Sequence, residues 1–334
     1  MKMAIQPKML IAAALAAFAV MGCQPQAGGE NGDAYPTRPI VLVVPFAPGG
    51  ASDLIARLMQ SRLSALLGQQ VVVDNRDGGA GNVAMNYVAR AKPDGYTLLV
   101  GNVGAIAINP TLFKDLQVSP ADDFIPISIV AEVPSVLIAN PRFAPNTVAE
   151  FVDYARARPG KINFASPGTG SLNRLEMEML RRDAQLSVVH VPYKGSSTTA
   201  MTDVMGGHVD VLFLTLSTAV NQIKDGRLKA LGVTSKERSP SLPEALTFAE
   251  QGYPAIISSS WQGIFAPKGT PAPVLAKLHA AIVEVMRDPS IQARLQETGG
   301  IARSSATMEE ARAYVAAETK LWSALATSTA SKAD

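Results

Sequence analysis

Short β-branched runs alternate with amphipathic segments along most of this chain, and that alternation restricts the folds open to it. Strands are predicted over Ile40–Val44, Gln70–Asp74, Thr97–Gly101, Ile127–Val130, Val136–Asn140, Ile162–Ala165, Val188–Val191, Val209–Leu214, Ala230–Thr234 and Gly263–Ala266. Helical spacing marks Asp53–Leu67, with Leu54, Leu58 and Leu66 among its apolar positions. It also marks Asn82–Ala91, Val148–Ala157, Leu172–Arg182, Thr198–Met205, Pro273–Arg287 and Met308–Leu325. Strands separated by such helices pair in parallel and are covered by them, which predicts an α/β protein.

No long linker interrupts residues 35–334, but Val133–Asn140 and Ile256–Trp261 are short extended stretches suited to crossing between domains. Two crossings imply a discontinuous first lobe, residues 35–134 plus 260–334, and an inserted lobe, residues 135–259. Two lobes on two crossovers form a hinge, and the cleft between them suits a ligand.

Lys2 and Lys8 accompany an apolar run from Met9 to Met21, followed by Gly22-Cys23. A basic start and roughly a dozen apolar residues describe a secretory signal over residues 1–22, too short to span a bilayer. Val20-Met21-Gly22-Cys23 resembles a lipobox, in which Cys23 becomes the acylated first residue of a bacterial lipoprotein. Ordinary cleavage, for instance after Ala17-Phe18-Ala19, is the alternative. Cys23 is the only cysteine, so no disulfide, thiolate metal cluster or cysteine nucleophile is expected in the folded part. Residues 23–34, rich in Gly, Gln and Asn, read as a flexible tether. Loss of residues 1–22 removes two lysines and takes the formal charge from +2 to zero, which gives no basis for nucleic-acid binding. No other run approaches the ~18 apolar residues of a membrane helix, so a soluble body is expected.

Three loops share one design: Pro48-Gly49-Gly50-Ala51-Ser52, Ser166-Pro167-Gly168-Thr169-Gly170-Ser171 and Tyr193-Lys194-Gly195-Ser196-Ser197. Each follows a predicted strand and precedes a predicted helix, at the sheet edge where open α/β proteins place ligands. Glycine lets backbone approach a ligand, a hydroxyl caps the first turn, and exposed N–H groups with the helix dipole favour an anion. A single such loop also serves as a plain tight connection. Three of them, divided between two lobes, favour a shared anion cleft.

Other chemistries find little support. Gly79-Ala80-Gly81-Asn82-Val83-Ala84 matches G-x-G-x-x-A, but Asn75-Arg76-Asp77 separates it from its strand, and Asp94 opens a strand instead of closing one. A dinucleotide site needs its glycines at the strand end. The chain lacks G-x-x-x-x-G-K-[ST] and G-x-S-x-G. His190, His208 and His279 have no metal-ligand spacing, and His190 reads as a structural hydrogen-bonder. Asp53 and Glu176 lie in early helical turns, where the dipole alone accounts for a carboxylate. No catalytic residue, cofactor or metal is predicted.

A longer series of segments carries a family resemblance: Tyr35-Pro36, Arg38-Pro39-Ile40, Val43-Val44-Pro45-Phe46-Ala47-Pro48-Gly49-Gly50 with Asp53 and Ala56-Arg57, Val73-Asp74-Asn75-Arg76 and Gly79-Ala80-Gly81-Asn82. Lys92-Pro93-Asp94-Gly95-Tyr96-Thr97-Leu98, Asn109-Pro110, Asp123-Phe124, Ala165-Ser166, Gly168-Thr169-Gly170-Ser171 and His190-Val191-Pro192-Tyr193-Lys194-Gly195 follow. Gly206-Gly207-His208-Val209-Asp210, Pro240–Pro243 and Ser260-Trp261 to Ala266-Pro267 complete it. The series resembles the receptors of tripartite tricarboxylate transporters, the Bug family of periplasmic solute-binding proteins. The resemblance implies a type II periplasmic-binding fold, two α/β lobes with mainly parallel sheets joined by two crossover strands. It implies a monomer that binds a small carboxylate without catalysis and delivers it to small and large membrane permease subunits.

Carried over by position, the resemblance assigns Phe46, Ala47, Gly49, Gly50, Ser52, Asn102 and Gly104 to the ligand from the first lobe. Ser166, Thr169, Gly170, Ser171, Gly195, Ser196, Asp210 and Thr215 follow from the inserted lobe, and Lys194 either pairs with a carboxylate or stays solvated. Arg174 stands where relatives commonly carry His, and Leu214-Thr215 where they carry Asp or Asn with another polar residue. Both departures bear on the ligand's identity. A ligand-loaded sensor docking on a membrane signalling protein, and an extracytoplasmic enzyme, are the alternative functions.

Overall fold

A computed structural model describes residues 35–113, 115–168, 171–193 and 197–330, and the β-branched runs pair there into one connected sheet. The strands are β1 (Ile40–Val44), β2 (Val71–Asn75), β3 (Thr97–Asn102), β4 (Phe124–Ala139), β5 (Asn163–Ser166), β6 (Val189–Pro192), β7 (Val211–Thr215), β8 (Lys229–Val233), β9 (Ser259–Pro267) and β10 (Ile301–Ala302). Their order is β2-β1-β3-β9-β4-β7-β5-β6, with β8 and β10 also paired to β4. The longer helices are α1 (Ala51–Leu67), α2 (Asn82–Ala89), α3 (Val148–Arg156), α4 (Leu172–Asp183), α5 (Ser197–Gly206), α6 (Leu216–Lys224), α7 (Ala272–Arg287), α8 (Pro289–Glu297) and α9 (Met308–Ala330). None of the described helices is long and apolar enough to cross a membrane.

Strand β4 is the seam. Its first part, Phe124 to Pro134, pairs antiparallel with β9, and Ser135 to Ala139 pair antiparallel with β7. The runs Ile127–Val130 and Val136–Asn140, expected as two strands, are one strand of 16 residues. Pro134 does not end it, because a residue without an N–H is tolerated where the partner strands change over. Parallel pairing is found in β1 with β2 and β3, and in β5 with β6 and β7. The α/β class is as expected, and the central β4 and β9 make the sheet mixed.

Helix α1 buries Ile55, Met59, Leu63 and Leu67, a row of i, i+4 positions on one face. Leu54 points outward at 39% exposure, so the buried stripe is shifted by one residue from the leucines that stand out in the sequence. Two of these longer helices are not predicted by the spacing. α6 starts directly at the end of β7 with no glycine or proline to mark it, and α8 starts at Pro289 with Asp288 accepting from the Ser290 N–H.

Val43, Leu99, Ile106, Trp261, Phe265 and Trp322 belong to one apolar cluster, which Leu172 and Leu175 of α4 also enter. Leu137, Phe151, Phe164 and Phe213 fill a second, and Ile138, Leu212, Val220 and Val233 a third. The last helix is fixed to β9 by a buried polar contact. Trp261 Nε1 and Trp322 Nε1 both donate to Glu318 Oε2, at 3.0 and 2.9 Å. Burial pushes the Glu318 carboxyl up, and the two indole bonds oppose that shift.

Gly101 shows how tightly β3 lies on its cover. A Cβ there meets Phe265 at 2.7 Å and Ile106 at 2.8 Å. Gly101→Ala is expected to destabilise the fold by about 1–3 kcal/mol through overpacking, measured by urea unfolding.

Candidate functional site

The register of β4 decides where the loops meet. Asn102, the last residue of β3, lies opposite Gln262 of β9, and Gln262 lies opposite Ala131 of β4. Thr215, the last residue of β7, lies opposite Ser135 of that same strand. Strands β1, β2 and β3 therefore run toward the middle of β4 from one side, and β5, β6 and β7 from the other. Their C-terminal ends converge on residues 131–135, a span of about 13 Å.

On the first side, Ala47 to Gly50 are exposed and Phe46 is half-buried. Gly49 adopts φ +90°, a conformation that disfavours any side chain. Its N–H donates to Asp53 Oδ2 at 2.9 Å, so that amide holds the loop instead of facing a ligand. Asp53 also receives Arg57 Nε at 3.0 Å and Asn75 Nδ2 at 2.9 Å. Burial alone raises this carboxyl, and the bonds from Arg57, Gly49 and Asn75 outweigh it and hold the group below its ordinary value. Asn75 Nδ2 also donates to the Phe46 carbonyl at 3.0 Å. The ordered turn is thus built by Asp53, Arg57 and Asn75, more than the dipole reading of Asp53 anticipated.

Ser52 has a partner across the sheet. Its side chain is buried and its Oγ donates to Gln262 Oε1 at 2.6 Å, so the hydroxyl joins α1 to β9. Gln262, fully buried beside the end of β3, is a residue that sequence reading missed; the polar run Ser258 to Ser260 just before it was the available signal. Asn102 Oδ1 accepts from the Ala105 N–H at 2.9 Å at the start of the π-helical turn Gly104–Ile108.

On the second side, Ser166 is buried, with Oγ at 3.0 Å from the Gly168 carbonyl and 2.6 Å from His190 Nε2. Ser171 Oγ donates to the Gly168 carbonyl at 2.8 Å and accepts from the Arg174 N–H at 3.3 Å, capping α4. Both hydroxyls are spent on shaping the loop. Thr169, Gly170, Lys194, Gly195 and Ser196 lie outside the described residues, as does Cys23. Thr215, the residue just before α6, shares a 2.9 Å hydroxyl contact with Thr218. Leu214 packs in the core, with 1% exposure, and takes no place at the edge.

Asp210 does not join the others. It precedes β7, and its Oδ2 accepts from the Asn163 N–H at 2.8 Å while its own N–H donates to Asn163 Oδ1 at 2.8 Å. That reciprocal pair closes the opposite, N-terminal end of β5 and β7. A cavity of about 840 Å³ lined by Glu132, Pro134, Tyr314, Glu318 and Trp322 also contains none of the expected site residues.

Glu176 departs from its dipole reading too. It is fully buried, and Ser258 Oγ donates to its Oε1 at 2.6 Å, joining α4 to the segment that enters β9. Burial pushes its carboxyl up to about 7, and hydrogen bonding only partly opposes this. The folded chain therefore holds this proton more tightly than the unfolded one, and the associated stability is lost as pH rises from about 4.5 through about 7. Glu176→Gln should flatten that fall, worth roughly 3 kcal/mol at most, in urea unfolding between pH 5 and 8.

Comparisons with known proteins identify the family and show close matches in fold. A family model described as tripartite tricarboxylate transporter family receptor matches residues 55–329. Protein BugT of Bordetella pertussis is 33% identical over 303 residues, covering 90% of this chain and 92% of that protein. An R. palustris protein solved with adipate superposes with a TM-score of 0.81 at 33% identity, covering 88% of this chain and 97% of that one. MatC from Rhodopseudomonas palustris with bound malate gives 0.78 at 32% identity, covering 87% and 100%.

Proposed function

Because the chain belongs to the tripartite tricarboxylate transporter receptor family, a family of periplasmic solute-binding receptors, we propose that it captures a small carboxylate where the two sets of strand ends converge. The first lobe in this reading is residues 35–134 plus 260–334, and the second is residues 135–259. The observation that carries it is the meeting of β3 and β7 ends at residues 131–135 of β4, each followed by loop or helix backbone. Main-chain donors at a helix start bind an anion without a charged side chain. The loop hydroxyls and carboxylates hold those donors in place, which lowers the ordering cost of binding.

The malate and adipate in the two structural relatives favour a di-acid as the ligand class. Delivery goes to a membrane transporter with small and large permease subunits, to which a monomeric receptor docks. Saturating ligand at 100 times its dissociation constant should stabilise the protein by ~2.7 kcal/mol, visible in a thermal-shift screen of di- and tricarboxylates. Gly50 tolerates a side chain, since φ is −79° and the closest atom to an added Cβ is the Ala47 carbonyl at 3.8 Å. Gly50→Asp puts a negative charge at the start of α1 and is expected to weaken the hit by about tenfold or more in calorimetry. Wild-type affinity in that variant, or no response to any organic acid, contradicts the reading.

Cys23 anchors the receptor to the outer face of the membrane in this account. Mass spectrometry of the protein from its native host should find a diacylated or triacylated Cys23 as the first residue, and Cys23→Ser should release it from the membrane fraction. An unmodified mature chain beginning elsewhere excludes the anchor.

A further inference from the structure

Ser258, Ser260 and Gln262 alternate along the segment that enters and begins β9, and all three are buried. At one end of this row Gln262 Oε1 accepts from Ser52 Oγ of α1 at 2.6 Å, and Gln262 Nε2 donates to Ser260 Oγ at 3.2 Å. At the other end Ser258 Oγ donates to Glu176 Oε1 of α4 at 2.6 Å. One short polar row thus bonds both α1 and α4, the helices behind a glycine loop on each side. Ser135 of β4, opposite the end of β7 at Thr215, also faces the Glu176 carboxyl, and Asn173 Nδ2 approaches its Oε2 at 3.4 Å. A fully buried acid therefore sits where the two strand groups converge, about 6 Å along α4 from its first residue.

The surroundings of that acid are neutral. Of the elements packed on α4, β5 and β7 carry no charged residue. On α9, Glu318 is bonded to the indoles of Trp261 and Trp322, and on β4, Glu132 is bonded to Arg303 and Tyr314. On α4 itself Glu178 pairs with Arg181, and Arg174 acts on His190. Burial first and Arg174 second push His190 down to about 4, so it changes no charge near neutral pH.

We propose that Glu176 makes ligand capture proton-linked: the receptor binds a carboxylate more tightly with this side chain protonated, and binding draws a proton onto it. The inference rests on the proposed function, which puts the anion at the converging strand ends. An ionised carboxylate buried beneath that point opposes a second negative charge through an interior that screens poorly. A neutral carboxyl does not, and it still accepts from Ser258. Burial already brings the group to about 7, so a nearby anion raises it further and affinity falls as pH rises beyond about 7.

The test is calorimetric titration of the whole protein with malate and with adipate between pH 6 and 8.5, at fixed ionic strength, in two buffers of different ionisation enthalpy. Affinity is expected to be about five- to tenfold lower at the top of that range than at the bottom, with proton uptake on binding between pH 7 and 8. Glu176→Gln mimics the protonated form and should hold one affinity throughout, with no uptake. Ser258→Ala removes a bond that lowers the Glu176 carboxyl, so it should move the fall in affinity to higher pH, where a merely structural role predicts uniform weakening. That second variant decides the matter if Glu176→Gln fails to fold. Equal pH profiles in wild type and Glu176→Gln, affinity that rises with pH, or binding without proton uptake overturns the proposal and leaves the carboxylate reading standing. Binding of neither acid at any pH removes the di-acid reading and this inference with it.

Discussion

Everything about the site depends on one strand serving two sets of neighbours. β4 gives its first eleven residues, Phe124 to Pro134, to β9 and its last five to β7, and all of these pairings are antiparallel. Since β9 also pairs antiparallel with β3, β3 and β7 must point toward each other. Two parallel strand groups then present their C-terminal ends to a common point. No individual loop has to be designed for that meeting. A slip in the β4 register moves one edge past the other, and Pro134 at the changeover limits such slips by withholding a ladder donor.

The loops at the meeting point are built on a consistent division of labour. The described polar side chains of these loops bond within the fold: Ser52 to Gln262, Asp53 to Arg57, Asn75 and the Gly49 amide, Ser166 and Ser171 to the Gly168 carbonyl. What is presented outward is backbone. An anion recognised in this way is held by dipoles that are already oriented. Its specificity comes from the shape and spacing of the loops more than from a side-chain code, and such a scaffold accommodates related acids through small loop changes.

Strand and helix placement was readable from the period of the apolar residues, because β-branched runs and i, i+4 spacing report burial directly. What the sequence hid was direction and continuity. Nothing in Ile127–Val130 and Val136–Asn140 says that one strand passes through Pro134, since that depends on which neighbours stop there. Asp210 looked like a loop acid but closes the far end of its strand against Asn163, and Glu176 looked like a dipole partner but lies sealed under Ser258. Both have one cause: local position was legible, and the distant residue that each carboxylate bonds was not. The glycine loops were legible as strand-to-helix turns, whereas the orientation of the Ser52, Ser166 and Ser171 hydroxyls is set by Gln262 and Gly168, which no spacing rule links to them.

The central claim is that one carboxylate ligand touches both strand groups at once. Amide chemical-shift mapping with a di-acid that binds tests it most directly. The account predicts saturable shifts, with a single dissociation constant, for amides at Ala47 to Ser52, at Asn102 to Gly104 and at Ser171 to Asn173. Shifts confined to one of the two sides, or centred on the 840 Å³ cavity around Glu132 and Trp322, contradict it.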